Sequence, residues 1–95
     1  MGYYLRLETV TFLFLSYKHL SKKFDHKEIY TLIKEVENIE YEINYRIFEL
    51  LENKSFLETA HQQIQEKAKA LDDGKKFLSY PIPKAIVEAW ESIEK

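Results

Sequence analysis

Cysteine is absent from this chain, and that removes disulfides, thiolate metal sites and cysteine nucleophiles together. Glycine and proline occur only twice each, too few for a turn-rich β architecture. With two glycines there is also no glycine-rich loop to cradle a nucleotide's phosphates, and no G-K-[ST] sequence occurs. The densest amino-terminal apolar run, Val10 to Leu15, is short and precedes no small-residue cleavage site, so no signal peptide is expected. No stretch approaches the ~18 apolar residues of a membrane-spanning helix. Net charge is also small, at −2, which gives no global attraction to nucleic acid or anionic membranes. A cysteine-free chain of this kind fits a reducing compartment, and a cytoplasmic location is expected.

What the chain has is apolar and aromatic material, 45% and 15% of its 95 residues. That composition excludes a disordered chain and predicts one domain over residues 1–95. The organising stretch is Asp25 to Asn53, which contains no glycine or proline. Asp25 lies three residues before Glu28, the spacing of a capping box, and Phe24 and Ile29 sit where a hydrophobic staple would form. Ile29, Leu32, Ile33, Val36, Ile39, Ile43, Ile47, Leu50 and Leu51 then recur at steps of three and four. This periodicity predicts a single helix about 42 Å long. It bends near Asn38 or Asn44, or a second copy of the chain covers its surplus apolar length. A second stripe of Tyr30, Tyr41, Tyr45 and Phe48 favours the second copy, because a helix apolar on two sides needs neighbours on both.

The flanking segments read as helices too. Val10, Leu13, Phe14, Tyr17, Leu20 and Phe24 keep helical spacing over residues 3–23, with Leu5, Phe12 and Leu15 on the other side. Such a helix is apolar almost all round and must be buried on both sides or shared. A short strand through Tyr3, Leu5 and Leu7 is the competing reading, but it would have no pairing partner. Ser55 and Glu58 form a second capping box, ahead of a narrow stripe of Leu57, Ala60, Ile64, Ala68 and Leu71 on a helix over about 56–72. Gly74 is expected to end it in a left-handed conformation. Residues 75–83 read as an irregular crossing, with Tyr80 and Ile82 held extended by the prolines after them. Residues 84–95 form a last short helix packed through Ile86, Ala89, Trp90 and Ile93. The fold class is therefore all-α: a small antiparallel bundle of three main helices and a short carboxyl-terminal one, built around one long central helix.

No catalytic or metal-ligating constellation emerges, and no cofactor is expected. Glu37-x-x-Glu40 and Glu49-x-x-Glu52 pair carboxylates one turn apart, but both pairs fall on one helix and cannot face each other across a magnesium ion. Glu40 projects into the main apolar stripe, where a carboxylate must pair or reach the edge. His61 lacks the lysine three residues on that a phosphotransfer histidine wants, and His19 and His26 have no metal-ligand spacing.

The expected function is accordingly non-enzymatic. The surplus apolar surface points to a small protein–protein interaction module, an adaptor, inhibitor or immunity-type regulator, working as a homodimer through Tyr30, Tyr41, Tyr45 and Phe48. Residues 28–52 carry seven acids against Lys34 and Arg46, so Glu35, Glu42 and Glu49 offer an acidic face to a basic partner. The alternative is a nucleic-acid-binding regulator that uses the basic corner at 18–27, with Lys18, Lys22, Lys23 and Lys27 contacting phosphates. The simpler reading of that corner is cations complementing a helix carboxyl terminus.

Overall fold

The computed structural model describes residues 2–94, with the side chains of Tyr3 and Glu94 outside the description. Six helices follow in order: α1 (Gly2–His19), α2 (His26–Glu35), α3 (Tyr41–Leu51), α4 (Lys54–Ala70), α5 (Gly74–Leu78) and α6 (Pro81–Glu94). No strand occurs among the described residues, so 3–9 are helical.

The first helix ends where its carbonyls find other donors. Lys22 N–H donates to Tyr17 O at 2.7 Å and Ser21 N–H to Lys18 O at 3.0 Å, with Ser21 left-handed at φ 60°. This is a Schellman closure with serine in the position glycine usually takes. Asp25 then caps α2 as expected, its carboxylate accepting from Lys27 N–H at 2.9 Å.

The single long helix does not form. The chain leaves the helical path at Val36 (φ −109°, ψ 127°), turns through left-handed Asn38 at φ 57°, and re-enters at α3 with Glu40 as the cap residue. Asparagine tolerates the left-handed region better than other side chains with a Cβ. The break has a packing reason. A straight rod of about 42 Å would overrun α1, which is about 27 Å long. Folded back, the two halves place Ile29 and Leu32 from α2, and Ile43, Ile47 and Leu50 from α3, in one core with Leu7, Phe14 and Leu15 of α1. Val36 and Ile39 in the linker pack on that same core.

The turn is pinned by side-chain hydrogen bonds from α1, α3 and α4. Ile39 O accepts from Asn44 Nδ2 at 3.0 Å and from Gln63 Nε2 at 2.7 Å, and Asn44 Nδ2 also reaches Gln63 Oε1 at 3.0 Å. Glu40 N–H donates to the Tyr4 hydroxyl at 3.3 Å. Asn44 is buried, so these partners are what make its position tolerable.

A second core lies on the far side of α3. Leu57, Ala60 and Ile64 of α4, Phe77 of α5 and Ile86 of α6 form its centre, and Tyr41, Tyr45 and Phe48 of α3 pack against them. α3 thus lies between α1 and α4, while α2 packs on α1 and α6 on α4. The result is a flat slab, 40 × 33 × 19 Å.

Several local expectations shift. The cap of α4 is Asn53, not Ser55; Asn53 Oδ1 accepts from Ser55 N–H at 3.0 Å and from Ser55 Oγ at 2.8 Å. Gly74 has no positive φ and starts α5 instead of closing α4. Glycine is required there by proximity, since a Cβ would sit 2.4 Å from Ala68 O. Residues 75–78 of the expected irregular crossing at 75–83 are helical, and α6 begins at Pro81. Pro81 and Pro83 both fall in its first turn, where a missing N–H leaves no helix bond unmade, so Ile82 is helical and not extended.

Candidate interaction surface

The most exposed apolar feature belongs to α1. One face of this helix carries Leu7, Thr11, Phe14 and Leu15 into the first core. Thr11 is tolerable there because its hydroxyl donates to Leu7 O at 2.6 Å. The opposite face carries Leu5 (65% exposed), Phe12 (40%) and Leu13 (45%), with exposed Thr9 and Ser16 between them, and Leu20 (65%) continues it one residue past the helix, its N–H still bonded to Ser16 O. At 100° per residue these six positions fall in one stripe about 100° wide. Large apolar side chains left open in a row mark a binding surface more often than scattered single ones do. Arg46 of α3 borders the stripe, its guanidinium 5.9 Å from the Phe12 ring centre and 5.6 Å from that of Tyr45.

The sequence points to part of this stripe through Leu5 and Phe12. Spacing groups Leu13 and Leu20 with Phe14, and Leu15 with Leu5 and Phe12, whereas Phe14 and Leu15 are buried together and Leu13 and Leu20 are left open. The reason is that α1 is apolar all round, so spacing alone cannot say which side is covered.

The aromatic stripe is divided. Tyr30 is exposed on α2, while Tyr41, Tyr45 and Phe48 lie half-buried on the α4 side of α3. Tyr41 meets Phe77 edge-on at 5.9 Å, and Tyr45 stacks on Phe48 at 6.3 Å. Burial pushes the Tyr41 phenol above its usual range, reinforced by Glu42 and Glu40. Burial raises Tyr45 as well, with Glu49 adding and Arg46 opposing. Burial also raises Tyr4, against the hydrogen bond it accepts from Glu40 N–H.

The charged candidates are dispersed too. Glu35 ends α2 and Glu42 opens α3, both exposed, whereas the Glu49 carboxylate is held by Arg46 at 2.7 Å. Glu40 is exposed at the α3 cap with its side chain making no cap bond, so it is not a carboxylate inside an apolar stripe. In the basic corner, Lys18 is engaged: its ammonium donates to Glu49 O at 2.7 Å and Leu50 O at 3.2 Å and pairs with Glu52 at 3.3 Å. That places a cation on the open carbonyls of the α3 carboxyl terminus. Lys22 and Lys23 are exposed in the connection before α2, and Lys27 is exposed in its first turn.

An open groove of about 390 Å³ between α1 and α2 is lined by Arg6, Glu28, Thr31, Leu32 and Glu35. No group of three or more His, Asp or Glu among the described residues could hold a metal ion. No helix among them is long and apolar enough to cross a membrane. No family model matches this chain, and no curated protein or solved structure does so either.

Proposed function

We propose that the chain is a non-catalytic helical interaction module, an adaptor, inhibitor or immunity-type regulator that works as a homodimer in the cytoplasm. The observation that carries this reading is the outer stripe of α1, where Leu5, Phe12 and Leu13 stand open and Leu20, just past its last residue, continues the row. Burying such side chains is the main favourable term in association, and a monomer gains nothing by leaving them in water. Of the four aromatic residues expected at the interface, Tyr30 alone is exposed, at 41%; the other three already pack within the chain. Glu35 and Glu42 remain available to a basic partner.

The nucleic-acid reading has less support, because the Lys18 ammonium is already bonded to α3. Sedimentation equilibrium across micromolar concentrations tests the homodimer. The expected mass is twice the 11.4 kDa of one chain. A single-chain mass up to about 100 µM, a concentration at which even a Kd near 10 µM leaves mostly dimer, refutes it.

A further inference from the structure

We infer that the α1 stripe is an antiparallel interface with the α1 of a second copy, centred between Phe12 and Leu13. This rests on the homodimer reading and specifies its contact. The stripe positions are 5, 9, 12, 13, 16 and 20. They form symmetric pairs about a single point. A two-fold axis there sets Leu5 against the partner's Leu20, Thr9 against the partner's Ser16, and Phe12 against the partner's Leu13. An isologous contact needs this self-complementarity, in which residue i meets j while j meets i. Large side chains meet at the centre and both ends, and the small Thr9 and Ser16 between them let the helices approach closely.

Charge selects the same direction. The amino-terminal half of α1 carries Arg6, already facing Glu28 at 3.9 Å, and Glu8. The carboxyl end carries His19, followed by exposed Lys22 and Lys23. Glu8 and His19 lie about 20° apart on the helical wheel, on the same border of the stripe. Antiparallel pairing therefore brings Glu8 beside the partner's His19 and opposes the two helix dipoles favourably. Parallel pairing would set one basic end on the other.

The area is sufficient. With a fully exposed Leu offering roughly 120 Å² and a Phe about 200 Å², the four large side chains leave on the order of 300 Å² of apolar surface per copy. Two copies bury twice that. Since interfaces are about 60% apolar, the whole contact comes to roughly 1,000 Å², the lower bound for a specific interface. That size belongs with weak, reversible association and not with obligate dimers, which bury about 2,000 Å² or more.

The absence of cysteine makes the register directly measurable. Thr9→Cys and Ser16→Cys replace small exposed side chains and are made as separate proteins. In the proposed register position 9 lies opposite position 16 of the partner, whereas 9 and 9, or 16 and 16, are offset by about 10 Å along the axis. A disulfide needs Cα atoms within about 7 Å. Mild oxidation of an equimolar mixture should give the mixed 9–16 disulfide at least ~10-fold faster than either variant alone gives its own. Leu13→Glu should weaken the wild-type dimer at least ~10-fold with its circular dichroism unchanged. If the wild-type protein is dimeric but either variant cross-links to itself as readily as the mixture does, this interface is wrong while the homodimer stands. A dimer that Leu13→Glu leaves intact likewise rules out this interface and keeps the homodimer. A wild-type protein that is monomeric at about 100 µM overturns both.

Discussion

Replacing Lys18 by Met keeps most of the aliphatic stem and removes only the ammonium. The wild-type group closes the α3 carboxyl terminus from another helix, through Glu49 O at 2.7 Å and Leu50 O at 3.2 Å. Hydrogen bonds from a charged donor contribute about 1.5–3 kcal/mol when they are sheltered. Here the Lys18 side chain is 35% exposed, so water replaces part of what is lost and the lower half of that range applies. The Glu52 pair at 3.3 Å adds little, because that carboxylate is 82% exposed. The expected loss is about 2 kcal/mol, on the order of 10 °C in Tm for a domain of this size. Urea and thermal denaturation followed by circular dichroism measure it directly. Lys23→Met is the matched control, since Lys23 is exposed and lies in no helix. Its effect should stay within about 0.5 kcal/mol. If Lys18→Met is no more destabilising than Lys23→Met, the ammonium does not cap α3 and the bonds to Glu49 O and Leu50 O contribute nothing.

Three further outcomes follow from the packing. Asn44→Ala removes the buried amide that bonds Ile39 O and Gln63, and should lower stability by about 1–3 kcal/mol in urea titration. Gly74→Ala puts a methyl 2.4 Å from the Ala68 carbonyl oxygen, so the α4–α5 junction must shift, and an unchanged urea midpoint would contradict that geometry. Tyr4, Tyr41 and Tyr45 hold their phenol protons more tightly folded than unfolded. Stability is therefore full below the unfolded value of about 10 and declines above it, as the unfolded chain releases protons the folded one keeps. Melts at about pH 9 and about pH 11 should show the drop, and Tyr45→Phe should reduce it.

The helical character of the chain is legible because four segments carry apolar residues at helical spacing and neither glycine falls inside any of them. The break at 36–40 is not, and the reason is specific. Val36 and Ile39 keep the period of the stripe because the linker lies on the same core that α2 and α3 bury. Apolar spacing therefore runs on through a segment whose backbone is not helical. Asn38 is one of two residues at which a bend could be placed, but its left-handed φ is chosen by tertiary contacts, Ile39 O with Gln63 above all. Asn53 and Ser55 are equally good cap residues by type, and only the hydrogen bonds decide between them. The surface of α1 is half legible: its all-round apolarity says that a second neighbour is needed, but only packing shows that Leu13 and Leu20 are the side left open.

The position of α3 bears on how the protein comes apart. Ile43, Ile47 and Leu50 belong to one core, and Tyr41, Tyr45 and Phe48 to the other. Opening α2 or α6, each at an outer edge of the slab, leaves the opposite core filled. Opening α3 empties both at once. Sub-global fluctuations are thus confined to the outer helices, while amide protons in the middle of α3 exchange only through complete unfolding. Two separate clusters of side chains are in this way joined into one cooperative unit by a helix of 11 residues.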